Sequence, residues 1–208
     1  MRHNIVEDGY AFRLRPVTLD DAQFIVDLRT DPERNQYIHA TSRDPGTQRA
    51  WIEAYFERQG DYYFIVESKS SGRREGTIGI YNLDPAKRCA EWGRWVIQAG
   101  SSAGLESAFL IYRTAFERLD LSMVYARTAV INEKVLSFHD SCHLPRVSLL
   151  PAALQLPSGA TDAVEHQLTS AQWPAIQQQM EQKVARMARI LMPGSSSGLR
   201  HPPAADLV

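Results

Sequence analysis

Short runs typical of β-strands alternate along the chain with longer runs that have helical spacing. The strand-like runs are rich in β-branched and aromatic residues and are bounded by turn residues. The last two are the least regular, and prolines interrupt the first of that pair. In chain order the runs are FRLRPV, YYFIVES, EGTIGIYNL, CAEWGRWVIQ, MVYARTAV, RVSLLPAAL and VEHQLTS. We therefore expect a sheet of six or seven strands.

Helical patterns separate these strands. Thr18 followed by Asp21 is a capping signal for a first helix, and a second helix is predicted over residues 47–59, after the turn-rich TSRDPG. From Leu105 apolar residues recur at intervals of three and four, which predicts a helix whose apolar side docks on the sheet. Asn132 is placed to cap the next helix. Residues 1–170 are predicted to form one α/β domain.

The C-terminal part of the chain has a different pattern. Residues 171–192 place apolar side chains along one helical stripe that begins at Trp173. This amphipathic helix is expected to cover the domain's own surface or to join a partner chain, so a homodimer is possible. Residues 193–208, PGSSSGLRHPPAADLV, are predicted to be disordered, because they offer too little apolar surface to offset chain entropy.

Composition narrows the class of protein. The 208 residues carry a net charge of −1 with both signs interspersed, so no nucleic-acid surface is expected. No apolar run approaches the roughly 20 residues that span a bilayer, and MRHNIVEDGY has no hydrophobic signal core. We therefore predict a cytoplasmic protein without a membrane partner. Cys89 and Cys142 are expected to be buried thiols rather than a disulfide.

The loop AGSSAG, at residues 99–104, has the composition of a phosphate-binding turn. It lies between a predicted strand and the start of a predicted helix. The unpaired N–H groups and the dipole of a helix N-terminus both favour an anion there. The sequence therefore predicts a site for a phosphate-bearing ligand.

The whole stretch WGRWVIQAGSSAG, LESAFLIYRTAFERL, MVYARTAV and NEKVLSFHDSCHL resembles the acetyl-CoA-binding half of the GCN5-related N-acetyltransferases. The likeness is to the branch of ribosomal-protein N-terminal and amino-sugar N-acetyltransferases. It extends through FRLRPVTLDDA, so it covers residues 12 to about 170. It implies an α/β (α+β) domain with a mixed, mostly antiparallel sheet, flanked by helices and split centrally to admit acetyl-CoA.

The resemblance also implies a set of cofactor-binding residues. Backbone groups near Val96 and Ile97 would pair with the pantetheine arm where two strands part. The turn from Gln98 onward would hold the diphosphate on main-chain amides, and Asn132 would orient the cofactor or simply cap its helix. The predicted cofactor-binding residues are Val96, Ile97, Gln98, Ser101, Ser102, Ala103, Gly104, Leu105 and Asn132.

Three side chains are candidates for proton transfer during acetyl transfer to an amine. Glu91 could accept the proton of the amine through water, or it could pair with Arg94 or another cation. His139 stands where many members of the family have a tyrosine and could protonate the leaving sulfur. It could equally be a partly exposed helix residue. Tyr125 is an alternative acid.

The spacing of His139, Cys142 and His143 could place three zinc ligands on one helical face. No matching Cys or His pair follows at the distance of a zinc finger, so no metal is expected. The protein is predicted to use acetyl-CoA as its acetyl donor.

The expected function is transfer of the acetyl group to a primary amine in a ternary complex. The leading acceptors are an amino sugar linked to a nucleotide and a peptide N-terminus, followed by other small amines. Five aromatic residues could line the acceptor cleft or belong to the core, namely Tyr37, Trp51, Tyr55, Tyr62 and Trp92. The alternative is a CoA-sensing or partner-binding module, which Glu106 beside the predicted diphosphate loop would favour.

Overall fold

The computed structural model describes residues 1–192, and these form one sheet flanked on both faces by helices. The strands are β1 (Glu7–Asp8), β2 (Phe12–Pro16), β3 (Tyr62–Ser68), β4 (Arg74–Asp84), β5 (Cys89–Ile97), β6 (Met123–Ala129), β7 (Arg146–Leu156) and β8 (Gly159–Thr169). Their order across the sheet is β1-β2-β3-β4-β5-β6-β8-β7. Every neighbouring pair is antiparallel except β5 and β6, which are parallel. The sheet is therefore mixed and mostly antiparallel, as the sequence predicted.

The helices divide into two layers. They are α1 (Ala22–Thr30), α2 (Pro32–Asn35), α3 (Pro45–Phe56), α4 (Gly104–Arg113), α5 (Glu133–Ser141) and α6 (Trp173–Leu191). Apolar residues of α1 and α3, such as Ile25 and Ile52, form one buried cluster with β3. Residues of α4 and α6, such as Phe109 and Trp173, form a second cluster on the other face. Both faces of the central strands are consequently buried.

The helix boundaries follow local chemistry. α3 begins earlier than the predicted residue 47, because the Asp44 carboxylate accepts hydrogen bonds from the N–H groups of Gly46 and Thr47 and Pro45 occupies the first turn. The run predicted from Leu105 continues beyond α4 into one π-helical turn, Thr114–Arg118. No helix among residues 1–192 is both long and apolar enough to cross a membrane.

The sheet has eight strands where the sequence predicted six or seven. The additional strand is β1, which is only two residues long and pairs with β2. Strand β7 does not stop at its proline, because the register shifts between Leu150 and Leu154 and leaves Pro151 in a bulge. The hairpin of β7 and β8 therefore extends the sheet beyond β6.

The amphipathic C-terminal helix packs on its own domain. The Trp173 ring lies 5.5 Å from the Phe116 ring, and Met180 and Val184 are buried in the same cluster. A homodimer stays a prediction. The predicted disordered tail, residues 193–208, lies outside the described residues.

Strands β5 and β6 part near the middle of the sheet. They are in register only from Cys89–Met123 to Glu91–Tyr125. Beyond that rung β5 continues to Ile97 and β6 to Ala129 without pairing to each other. The predicted splay of the central strands is present, and it opens directly beyond Glu91.

Candidate active site

A cavity of about 690 Å³ lies at the parted strands. Its floor comes from β5 and β6, and its walls come from α3, α5, the segment of residues 37–42 and strand β7. Of the predicted site residues, Glu91, Asn132 and His139 line it. Residues far apart in the sequence are thus brought together where the sheet opens.

Glu91 lies on the floor of the cavity and is held by neighbouring side chains. Its carboxylate accepts hydrogen bonds from Asn82 Nδ2 at 3.0 Å and from the Tyr81 hydroxyl at 3.4 Å. The Arg127 guanidinium lies 3.8 Å away. The cation beside Glu91 is therefore Arg127 and not Arg94, and the carboxylate is both oriented and within reach of the cavity.

Arg94 pairs with a different carboxylate, that of Asp61. Its guanidinium donates to the Asp61 carboxylate, with Nη2 2.9 Å from Oδ2, and it lies 4.4 Å from the centre of the Tyr81 ring. The backbone at Arg94 has φ 51°, because β5 carries an extra residue opposite β4 between Gly93 and Val96. This bulge bends β5 where the cavity begins.

His139 is almost fully buried on the other side of the parted strands. Its ring lies 5.5 Å from Trp92 and 4.7 Å from His166. Burial, reinforced by the neighbouring His166, lowers the pKa of His139 to about 3. The imidazole is therefore neutral at physiological pH. A role as an imidazolium acid does not fit this environment, whereas a neutral N–H donor does.

Tyr125 stands at the last rung before the strands part. It is in register with Glu91, and the Arg127 guanidinium lies 4.9 Å from the centre of its ring. Burial raises the pKa of the Tyr125 phenol. Among the described residues that line the cavity, Tyr125 does not occur. It is thus close to Glu91 but set outside the cavity.

The predicted diphosphate loop joins β5 to α4. The Gln98 N–H donates to the Glu75 carbonyl at 2.8 Å, and the Ser101 N–H donates to the Gln98 carbonyl at 3.2 Å, which fixes a tight turn. Ala103 caps α4, which begins at Gly104. Amides in the first turn of a helix have no acceptor within it. Ser102, Gly104 and Leu105 are only half-buried, so this turn presents main-chain N–H groups at an open surface.

Glu106 turns away from this loop. Its Oε1 accepts hydrogen bonds from the N–H groups of Ala11 at 3.0 Å and Phe12 at 3.3 Å, where the turn after β1 enters β2. Burial raises its pKa to about 7, against the opposing effect of these amides. The Glu106 carboxylate, on which the alternative of a catalytically silent module depended, therefore points into the core and not towards the diphosphate loop.

Ile97 presents its backbone to the gap between the strands. The Gln98 N–H is directed at β4, and successive residues of a strand point their backbone groups in opposite directions. The Ile97 carbonyl accepts a hydrogen bond from Arg34 Nε at 2.8 Å, and Arg34 also pairs with Asp31 at 2.6 Å. Arg34 thus reaches the gap from α2.

Residues 12–144 match the family model described as an acetyltransferase (GNAT) domain. The chain belongs to the GNAT family. Acetyl-CoA is the usual acetyl donor of GNAT acetyltransferases. No curated protein matches the sequence.

Solved structures share this GNAT fold. A GCN5-related N-acetyltransferase from Brucella melitensis is 16% identical with a TM-score of 0.78, and the match covers 89% of this chain and 88% of that one. Apo FdhC, a nucleotide-linked sugar GNAT, is 24% identical with a TM-score of 0.71, covering 88% and 98%. A mutant of the spermidine N-acetyltransferase SpeG from Vibrio cholerae is 16% identical with a TM-score of 0.69, covering 79% and 97%. At these identities the likeness shows the fold alone.

Within this GNAT domain the predicted aromatic residues separate into two groups. Tyr37, Trp51 and Trp92 line the cavity. Tyr55 belongs to the core, where its hydroxyl accepts a hydrogen bond from the Tyr63 N–H at 2.9 Å. Tyr62 lies away from the cavity and packs on the His3 ring at 5.5 Å. Three of the five aromatic residues predicted as candidates for the cleft therefore line it, and the other two do not.

Asn132 caps α5, since its Oδ1 accepts a hydrogen bond from the Val135 N–H at 3.3 Å. It also lines the cavity, so capping and ligand contact are compatible at this position. No group of three or more His, Cys, Asp or Glu side chains among residues 1–192 is arranged to hold a metal ion.

Four site residues were missed in the sequence. Tyr81 and Asn82 hold Glu91, Arg127 lies beside it, and Arg34 reaches the Ile97 carbonyl. Each comes from an element other than that of its partner. No periodic pattern marks them, because their roles depend on strand register and on packing between distant segments.

Proposed function

We propose that the protein transfers an acetyl group from acetyl-CoA directly to a primary amine. The observation that carries this proposal is the parting of β5 and β6 beyond Glu91, which opens a cavity with a fixed carboxylate on its floor. No covalent enzyme intermediate is required, since one open cleft can hold the thioester and the amine together.

The acetyl donor is proposed to bind along the parted strands. Its diphosphate would rest on the turn of residues 101–105, where the amides of Ser102, Gly104 and Leu105 are open to a ligand and the α4 dipole favours an anion. The amides of Ser101 and Ala103 already donate, to the Gln98 carbonyl and to the Ser101 hydroxyl. Its pantetheine arm would bind the backbone of Ile97, because the backbones of Val96 and Gln98 are directed at β4 instead. Asn132 would orient the arm from the start of α5. Because the Glu106 carboxylate points into the core and away from the loop, it does not oppose this arrangement by charge repulsion.

In the proposed reaction the amine nitrogen attacks the thioester carbonyl carbon. The C–N bond forms, the C–S bond breaks, and the proton leaving nitrogen passes through water to Glu91. His139 donates a hydrogen bond from its neutral imidazole to the departing sulfur, which then takes a proton from water. Tyr125, which is set outside the cavity, is assigned no step.

The acceptor classes we propose are those of the ribosomal-protein and amino-sugar branch. These are an amino sugar linked to a nucleotide and the N-terminal amine of a peptide, followed by other small amines. Support comes from a structural neighbour described as a nucleotide-linked sugar GNAT, although its likeness is one of fold.

An assay of free CoA released over a panel of amines tests this function. The panel contains peptides beginning with Ser, Ala or Met, amino-sugar nucleotides and spermidine. We expect thiol release with at least one amine, and its loss in Glu91→Gln while acetyl-CoA affinity persists. Acetyl-CoA binding without release from any amine would contradict an acetyltransferase.

A further inference from the structure

Arg29 is a cation in the cleft that has no carboxylate partner within residues 1–192. It lies in the last turn of α1, is half-buried and lines the cavity. Its Nε donates to Thr41 Oγ1 at 2.8 Å and its Nη2 donates to the His39 carbonyl at 3.4 Å. A guanidinium has five N–H donors, so three remain without an acceptor among the described residues. Side chain and backbone of the segment 39–41 thus fix the position of a charge that is not neutralised.

The other two guanidiniums that line the cavity differ in this respect. Arg94 is paired with Asp61, and Arg127 is paired with Glu165 at 2.9 Å and lies beside Glu91. Within the described part of the chain no carboxylate lies within 4 Å of Arg29. The wall formed by α1 and the segment 39–41 therefore carries an unbalanced positive charge.

The two sides of the cleft are chemically different. Glu91 lies on the floor, whereas Arg29 lies on the wall and donates to the hydroxyl of Thr41, which also lines the cavity. A guanidinium binds phosphate and carboxylate groups with two parallel hydrogen bonds. A polycationic amine would instead bring like charge to Arg29, which opposes binding.

We propose that the acceptor is a small amine that also carries an anionic group, a phosphate or a carboxylate, and that Arg29 binds this group while the amine lies at Glu91. The inference rests on the proposed acetyl transfer, because it concerns the anionic group of the same acceptor whose amine is acetylated. Arg29 is then the residue that determines specificity for the charge of the acceptor.

Matched pairs of amines test the inference. Glucosamine is compared with glucosamine 6-phosphate, and serine amide with serine, so that the members of each pair differ in one anionic group. We expect the anionic member of at least one pair to have a kcat/KM about 10- to 100-fold higher, the range for one hydrogen-bonded charged contact. A preference within the glucosamine pair would identify the anionic group as a phosphate, and a preference within the serine pair would identify it as a carboxylate. Spermidine is expected to be a poorer acceptor than either anionic compound.

Arg29→Gln assigns the effect to this side chain. It should raise KM for the anionic amine about 10- to 100-fold and leave the neutral member of the pair within about twofold. Arg49→Gln is the matched control, because Arg49 lies exposed on α3 and pairs with Glu53 outside the cavity. If Arg29→Gln does not fold, Arg29→Lys should fold and retain the preference in reduced form.

Equal kcat/KM for both members of both pairs, or equal losses for both in Arg29→Gln, would overturn the inference while leaving acetyl transfer intact. Absence of thiol release from every amine would instead overturn the proposed function. In that event calorimetry of the same pairs with the acetyl-CoA-loaded protein still decides the role of Arg29. Binding that does not discriminate charge would refute it.

Discussion

The two sides of the cleft are built in different ways. The proposed cofactor side consists of main-chain groups from one continuous stretch, residues 97–105, at the end of β5 and the start of α4. The proposed acceptor side consists of side chains from separate elements, such as Glu91 on β5, Arg127 on β6 and Arg29 on α1. Amides that a turn and a helix dipole orient tolerate most changes of side chain. A proton acceptor or an anion-binding group does not.

This difference predicts opposite responses to substitution. Changes on the acceptor side should affect kcat and the choice of amine, and should leave acetyl-CoA affinity unaltered. Changes on the cofactor side should matter only when they introduce charge or bulk at the amides.

The largest effect is expected for Glu91→Gln. Removing the proton acceptor should lower kcat by about 100- to 10,000-fold, the range for general base catalysis, with acetyl-CoA affinity unchanged. Steady-state kinetics and calorimetry measure the two quantities. The control is Glu165→Gln, another buried carboxylate that pairs with Arg127 but does not line the cavity. Equal losses in both variants would mean that Glu91 acts only by holding Arg127.

Glu106→Gln should alter stability and leave cofactor binding unchanged. The folded-state pKa of Glu106 is raised from 4.5 to about 7, so the native state retains a proton that the unfolded state has lost. The stability from this group is present below pH 4.5 and is lost as pH rises through about 7. Glu106→Gln should therefore gain about 1 to 3 kcal/mol relative to the native protein between pH 4.5 and 8. Urea unfolding across this range measures the gain.

A pH-independent stability difference between Glu106→Gln and the native protein would contradict the buried, protonatable carboxyl. A marked loss of acetyl-CoA affinity in the same variant would show that Glu106 belongs to the cofactor side after all.

Ser102→Asp should weaken acetyl-CoA binding about 10- to 100-fold, because it places a negative charge beside the proposed diphosphate position. Ser102→Asn is the isosteric neutral control and should bind within about threefold of the native protein. Calorimetric titrations at low and high salt distinguish an effect of charge from an effect of side-chain size, since charge repulsion is screened by salt. Similar affinities for Asp and Asn would place the diphosphate elsewhere.

His139→Gln is expected to lower kcat about tenfold without moving any inflection of the pH profile above pH 5. The reason is that His139, with its pKa lowered from 6.5 to about 3, does not titrate there. The lowered pKa also makes the stability of the folded protein depend on pH. The contribution of neutral His139 is present above pH 6.5 and is lost as pH falls towards 3. If an inflection near pH 6.5 in the native profile vanished in the variant, His139 would be a charged acid.

The turn and the helix start of the proposed cofactor side could be predicted from sequence, and the contacts of the proposed acceptor side could not, for a physical reason. The strand, the small-residue loop and the stripe from Leu105 are local patterns, so the turn and the start of α4 could be placed from sequence. The partners of Glu91 could not, because Asn82 and Arg127 reach it only through the registers of β4 and β6. The charge of His139 and the direction of the Glu106 side chain depend on burial in the folded protein. Neither can be predicted from the spacing of residues in the sequence.

A crystal structure of the protein with bound CoA tests the central claim most directly. The account predicts the diphosphate within hydrogen-bond distance of the Ser102, Gly104 and Leu105 amides, and the pantetheine between β5 and β6 beyond the Glu91–Tyr125 rung. CoA bound outside this gap, or β5 and β6 closed on each other in the complex, would contradict it.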